Sequence, residues 1–305
     1  MCGIVGYIGK KQAFPIIING LKRLAYRGYD SAGVALLSDT NALNIYKKKG
    51  KVVNLEEVAS GNDVSGNIGI GHTRWATHGE ANDVNAHPHF NATEDLAVIH
   101  NGIIENYYSL KTELQSRGYI FRSETDTEVL VHLIEEIQKN VSCPLEEAVR
   151  LALNEVIGAY AIVVISKKEN NKLIVAKLSS PLVIGFGDHE LFVASDGSPL
   201  IEHTKKVSYL ENGQMAVLYA DGHAEVKSIK DNVIQDAYIS ELQLKLEQIE
   251  KGGFDHFMMK EIHEQPQAIK NSIRGRIDSQ QFWVNLGGVR EHEHRFKNAH
   301  KIIIV

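Results

Sequence analysis

The sequence predicts an α+β protein in which two sheets pack together and helices cover their outer faces. Short apolar runs rich in β-branched residues mix with helical spacings over the first hundred residues. Three helical patterns follow in succession, and then a long β-rich stretch runs from Tyr160 to about Lys227. Strands on both sides of a helical block give two sheets that bury their apolar faces against each other and against helices.

Ile4 to Ile8 is short and apolar and reads as a strand; Phe14 to Leu24 carries apolar residues at helical spacing. Gly33 to Leu37 and Leu43 to Tyr46 are strand-like, a short helix falls near Leu55 to Ala59, and Ile68 to His72 and Leu96 to His100 read as buried strands. Helices are expected over Tyr107 to Gln115, Thr127 to Gln138 and Leu145 to Val156. The β-rich stretch is broken by turn signals at Gly185-Phe186-Gly187-Asp188, Asp196-Gly197, Asn212-Gly213 and Asp221-Gly222.

The character changes after about Gln235. Ile239 to Ile249 fits a charged amphipathic helix, Lys251-Gly252-Gly253 breaks it, and Met258 to Ile273 is helical again. The final Ile302-Ile303-Ile304-Val305 reads as a buried strand, and an isolated buried strand cannot satisfy its backbone groups. The expectation is a fragment with a domain over residues 1–240, followed by a linker and the truncated start of a second domain over 241–305.

The 305 residues carry a formal net charge of -5 and 43% hydrophobic residues, with no basic footprint for nucleic acid. Cys2 and Cys143 are the only cysteines, so a disulfide framework is not expected and a reducing cytoplasm fits. No secretory signal opens the chain, and no apolar run approaches the roughly 20 residues that span a bilayer.

Cys2 is the residue with the most chemistry to offer. Removing Met1 would put a thiol and a free α-amine on one residue. Their ordinary pKa values, roughly 8.5 and 7.7–8.0, make proton transfer between them cheap near neutral pH. An N-terminal amine can then serve as base for its own side-chain nucleophile. Position alone favours an ordinary residue opening a buried strand, and the other segments reverse that.

Four other segments accompany it. Gly71-His72-Thr73-Arg74-Trp75-Ala76-Thr77-His78-Gly79, continuing to Asn85-Ala86-His87-Pro88-His89, follows an apolar strand. Arg74 offers a planar fork suited to a carboxylate, and the small residues around it suit a moving lid, although a solvated surface loop fits as well. In His100-Asn101-Gly102-Ile103, an Asn carboxamide beside a Gly N–H can form an oxyanion hole, while a plain Asn-Gly turn is the simpler alternative. In Ser123-Glu124-Thr125-Asp126-Thr127-Glu128, Thr125 or Asp126 could cap the next helix, with Glu128 closing a capping box. The Asp126 carboxylate beside the helix end would stay ionised and could receive an ammonium. Tyr26-Arg27-Gly28-Tyr29-Asp30-Ser31-Ala32-Gly33 joins a helix to a strand, either as a plain loop or as support for the N-terminal nucleophile. His87-Pro88-His89 and His292-Glu293-His294 lack metal-site spacing, so no metal is expected. A papain-like thiol protease would need an internal Cys paired with a distant His, and Cys143-Pro144 has no such setting.

Together these motifs resemble the class II glutamine amidotransferase domain of the N-terminal nucleophile (Ntn) hydrolases, over roughly the first 240 residues. Tyr26 to Gly33, Arg74 to Gly79 with Asn85 to His89, Glu124 to Thr127, and Phe257 to Pro266 look like the branch of that family that aminates a sugar phosphate. The resemblance implies a four-layer αββα sandwich. It implies that Cys2 attacks the side-chain amide of L-glutamine, that Asn101 and Gly102 hold the oxyanion, and that water releases glutamate. Arg74 would grip the substrate carboxylate and Asp126 its ammonium, with Thr77 and His78 completing the pocket. The loop from Trp75 to Ala81 would be the lid, Trp75 the gate for ammonia, and Arg27 and Gly28 the support of the N-terminal residue. No cofactor is implied. The ammonia acceptor would be fructose 6-phosphate, yielding glucosamine 6-phosphate, in the full-length enzyme only. That enzyme would be a homodimer through sugar-isomerase modules that this sequence lacks. The readings left open are another class II amidotransferase and a domain that binds glutamine without cleaving it.

Overall fold

The computed structural model describes residues 2–242, 253–273, 276–278, 283–284 and 293–301. The chain divides into two compact units, Met1–Ile249 and Glu250–Val305.

In the first unit the strands form two antiparallel sheets. The eight-stranded sheet contains β1 (Gly3–Ile8), β2 (Ser31–Leu37), β3 (Leu43–Lys49), β4 (Ile68–Arg74), β9 (Val183–Phe186), β10 (Leu191–Ala194), β11 (Lys206–Tyr209) and β15 (Ser240–Glu241). Its spatial order is β15-β11-β9-β10-β1-β4-β2-β3, which puts β1 in the interior. The seven-stranded sheet contains β5 (His89–Phe90), β6 (Leu96–Ile104), β7 (Gly158–Ser166), β8 (Lys172–Leu178), β12 (Gln214–Tyr219), β13 (Ala224–Ser228) and β14 (Ile234–Gln235), in the order β14-β13-β12-β8-β7-β6-β5.

Period-two alternation decides the layers. Along β1, Ile4 and Ile8 face the other sheet, whereas Val5 and Tyr7 face helices α1 (Ala13–Leu24) and α2 (Val52–Ala59). Along β7, Ala161, Val163 and Ile165 meet the first sheet; Tyr160, Ile162 and Val164 turn outward to α4 (Glu128–Val141) and α5 (Leu145–Glu155). A helix α3 (Tyr107–Ser116) completes that outer layer, with Leu114 buried in it. The result is the αββα sandwich, with three apolar layers between its four. Each fully buried Ile, Val or Leu contributes about 1.5–3 kcal/mol.

Some expectations change. The capping box at the start of α4 does not form: the N-cap is Thr127 and makes no side-chain cap bond. The Glu128 carboxylate turns instead to the backbone N–H groups of Arg122 and Ser123 and to the Ser123 hydroxyl. Asn101-Gly102 is not a turn, because β6 continues through it to Ile104, paired with β7 throughout. Ser240–Glu241 pairs with β11 as a strand, so no helix starts at Ile239; residues 243–249 of that expected helix lie outside the described residues. The terminal run 302–305 lies outside them as well.

The second unit contains a helix over Phe257–Ile273, as its spacing suggests, with Pro266 inside it. A two-residue pairing of Ile277–Asp278 with Trp283–Val284 and a short helix over Glu293–Lys297 are its other described elements.

Candidate active site

Four strand ends of the first sheet converge around Cys2. Gly3 pairs with Thr73, which brings the residues beyond Arg74 beside the start of β1. Ser31 pairs with Arg74, so the segment before β2 arrives there too, and the Asp30 N–H donates to the Arg74 carbonyl at 2.8 Å. On the other side Val5 pairs with Ala194, and Ser195 and Asp196 follow directly. Gly3 is required at this junction, since a Cβ there would sit 2.6 Å from the Thr73 hydroxyl and 2.9 Å from Leu24.

The Cys2 sulfur accepts the Trp75 N–H at 3.2 Å. Burial raises the pKa of this thiol, and the Trp75 N–H and the Arg74 charge pull it back partway. Asn101 reaches across from the second sheet, and its Nδ2 donates to the Cys2 carbonyl at 3.3 Å. Alternation along β6 explains that reach: Ala97 and Ile99 face the first sheet, and Asn101 continues the same face. Gly102 is held at φ 137°, and a Cβ there would lie 1.9 Å from the Ala159 carbonyl oxygen. Only glycine fits that backbone.

Arg27 braces the nucleophile from below. Its guanidinium pairs with Asp196 and donates to the Ser195 hydroxyl at 3.3 Å and the Cys2 carbonyl at 3.5 Å. Ser195 in turn exchanges two bonds with Ile4, at 3.1 and 3.2 Å. Gly28, at φ 76°, leaves room for the Trp75 ring, which a Cβ would meet at 2.8 Å. The ring is otherwise 54% exposed, a large apolar surface at the mouth.

Cys2, Arg27, Trp75, Thr77, Asn101 and Gly102 line one cavity of about 410 Å³, together with Ile103, Ser180 and Pro181. Arg74, His78 and Asp126 stand off its wall. Arg74 is buried and donates to the carbonyls of His78, Gly79 and Glu80, so it gathers the loop over itself. The His78 ring lies 5.5 Å from that of Tyr107. Buried Asp126 accepts the Ile104 N–H at 2.7 Å, two residues beyond Gly102, which ties the acid to the strand that carries Asn101. Asp30 accepts the Ala76 N–H and anchors the base of the loop.

Sequence reasoning assigned no role to Ser195 and Asp196, and no individual role to Asp30 or to the packed histidines His72, His87, His89 and His100. Asp196-Gly197 gave only a turn signal, and Asp196 does cap that turn through the Ser198 N–H at 2.8 Å. Among the described residues no group of three or more His, Cys, Asp or Glu is arranged to hold a metal ion.

Residues 59–236 match the family model described as a glutamine amidotransferase domain. The chain is 54% identical over 305 residues to the glutamine–fructose-6-phosphate aminotransferase [isomerizing] of Bacteroides thetaiotaomicron, covering 100% of this chain and 50% of the relative. It is 54% identical over 308 residues to the protein of the same name from Chlorobaculum tepidum, again with 100% and 50% covered. The chain thus spans about half the length of these curated relatives. Among solved structures, it is similar to the glutamine phosphoribosylpyrophosphate amidotransferase of B. subtilis, with a TM-score of 0.64 and 29% identity over 76% of this chain and 50% of that one. It is also similar to a structure described as the allosteric regulatory enzyme of purine biosynthesis, with a TM-score of 0.65, 30% identity and the same shares covered.

Proposed function

The chain belongs to the glutamine amidotransferase domain family, and from that membership we propose that it hydrolyses the side-chain amide of L-glutamine with Cys2 as nucleophile. The observation that carries the proposal is the pairing of the Cys2 sulfur with the Trp75 N–H in a cavity that also receives Asn101 and Gly102. A nucleophile beside donors for a developing negative oxygen is the minimum that acyl transfer needs.

In this reading no residue precedes Cys2 in the working enzyme, and its α-amine takes the thiol proton. The sulfur attacks the amide carbon, and the oxyanion is received by the Asn101 carboxamide N–H and the Gly102 backbone N–H. The carbon–nitrogen bond then breaks and ammonia leaves with the proton returned from the ammonium. Water adds to the thioester and releases glutamate. Arg74 binds the α-carboxylate and Asp126 the α-ammonium. Binding at Arg74 requires the carboxylate to compete with the loop carbonyls, so substrate entry and loop rearrangement are one event. Thr77 and His78 close the pocket, Trp75 gates the departing ammonia, and Arg27 and Gly28 hold the nucleophile and the gate.

The acceptor proposed for the ammonia is fructose 6-phosphate, giving glucosamine 6-phosphate in a protein that includes the remaining half of the relatives' length. The 54% identity to two aminotransferases so named, against 29% to the phosphoribosylpyrophosphate amidotransferase structure, supports this acceptor over phosphoribosyl chemistry. A cytoplasmic homodimer joined through that other half belongs to the same proposal.

The test is a glutamine titration with glutamate detection, run on the parent chain and on Cys2→Ala. Glutamate release that disappears in the variant is expected. Saturable binding without release from the parent would make the chain a silent glutamine-binding domain.

A further inference from the structure

The Asn101 carboxamide can serve an oxyanion only with its nitrogen toward the nucleophile, since the two ends of an amide are alike in shape and opposite in charge. Rotation by half a turn would aim Oδ1 at the negative oxygen and cancel the site. Something must therefore hold the other end.

That end touches His72. Its Nε2 lies 2.9 Å from Asn101 Oδ1, and both side chains are buried between the sheets, one on β4 and one on β6. The ring is fixed in plane by His87, stacked at 4.2 Å and 15°. His87 is itself located by the His100 N–H, which donates to its Nδ1 at 3.2 Å. His72 Nδ1 is buried without a hydrogen-bond partner. A bare acceptor in that position costs less than a buried unpaired N–H, so the imidazole hydrogen belongs on Nε2. The competing tautomer would carry its hydrogen on Nδ1, toward the His100 backbone, and would set two lone pairs, those of Nε2 and Asn101 Oδ1, against each other at 2.9 Å.

We propose that His72 is a positioning residue for the amide-cleaving reaction: its Nε2–H holds the Asn101 oxygen and so fixes the carboxamide with its nitrogen toward Cys2. The inference rests on the glutaminase reading above and adds a residue to it. Burial keeps the His72 ring neutral, with its pKa pushed down to about 3, so the donor is present and uncharged throughout the physiological range. A cation there would also face the positive Arg74, and His87, His89 and His100 are each lowered by burial and neutral as well. The histidine block therefore acts as fixed dipoles rather than as charges.

His72→Phe keeps a ring against His87 and removes the donor; His72→Gln places an amide N–H where Nε2 stood. Loss of an oxyanion donor typically lowers kcat by about 10²–10³-fold. Because Asn101 still points correctly part of the time, His72→Phe should lower kcat about 10- to 100-fold with the glutamine KM within about two-fold, and His72→Gln should recover most of it. In an Asn101→Gly background, His72→Phe should cost less than about two-fold more, as expected for residues acting as a unit. Unchanged kcat in His72→Phe, or equal losses in both backgrounds, would overturn the proposal.

If His72→Phe does not fold, long-range ¹H–¹⁵N spectra of the histidine-labelled parent decide. A protonated Nε2 and bare Nδ1 on His72, constant from pH 6 to 8, are expected; a protonated Nδ1 would overturn the proposal. This readout is independent of turnover. A parent chain that releases no glutamate defeats the functional reading, whereas an active parent with the wrong tautomer defeats only the role of His72.

Discussion

The Trp75 backbone holds the Cys2 sulfur on two sides: its N–H donates to Sγ at 3.2 Å, and its carbonyl accepts from the thiol at 3.6 Å. Register sets up the relationship, because Gly3 opposite Thr73 puts Cys2 level with Arg74, and Trp75 is the next residue along. The first contact favours the thiolate and the second the thiol, so the sulfur keeps its place as it loses and regains a proton. The same residue presents its ring over Gly28.

The first prediction concerns that proton. Burial raises the Cys2 pKa, and Trp75 and Arg74 only partly offset it, so the thiol form dominates at neutral pH. In the chain that retains Met1, the rate of Cys2 alkylation by iodoacetamide, followed by peptide mass spectrometry, should still climb beyond the ordinary thiol value of roughly 8.5. A plateau reached by pH 8 would contradict the burial account.

Gly102→Ala should damage both stability and activity. At φ 137°, with the Ala159 oxygen 1.9 Å from a new Cβ, the backbone of β6 must move. The strain is worth on the order of 1–3 kcal/mol, or a few degrees in Tm, and displacing an oxyanion donor should lower kcat about 100-fold. Thermal melts and glutamate release measure the two effects separately; a variant matching the parent in both removes Gly102 from the site.

Arg74→Lys separates binding from chemistry. Lysine keeps the charge and loses the fork that Arg74 presents to the loop carbonyls and, as proposed, to the substrate carboxylate. Losing a charge-assisted bond costs about 1.5–3 kcal/mol, so the glutamine KM should rise roughly 10- to 100-fold while kcat stays within a few-fold. An unchanged KM would place carboxylate recognition elsewhere.

Glu128 makes the fold acid-sensitive. Burial alone would raise its pKa; His132, with Nε2 3.5 Å away, and the bonds from Arg122 and Ser123 outweigh burial and bring it to about 2. A carboxyl with a folded pKa below its unfolded value stabilises the fold above the unfolded value. That stability drains as pH falls, here from about 4.5 toward about 2. Its worth is on the order of 1–3 kcal/mol. Glu128→Gln should therefore melt lower than the parent at pH 7, with the gap narrowing below pH 4; a gap independent of pH would refute the assignment.

How much of this was legible in the sequence depended on whether the signal was local. The strand from Ile4 and the helix from Phe14 are periodic over their own residues and come out as β1 and α1. Cys2, Arg74, Asn101 and Gly102 stood out because their side chains or backbone freedom suit one chemistry. The end of β6 was hidden because Gly102 and Ile103 are exposed and interrupt the buried pattern. The brace from Arg27 to Ser195 and Asp196 spans 168 and 169 residues, and only sheet order creates it. The histidines were visible one by one and lacked the spacing of a metal site, so no joint role could be read for them. Their packing depends on β5 meeting β6 with His89 opposite Val98 while β4 faces them from the other sheet.

The central claim is that the sulfur of residue 2 is the group that attacks glutamine, and the most direct measurement is covalent trapping with an electrophilic glutamine analogue followed by peptide mapping. The account predicts stoichiometric modification of Cys2, blocked by excess glutamine and absent in Cys2→Ala, with Cys143 untouched. Modification of another side chain, or labelling of Cys2 that glutamine does not slow, would contradict it.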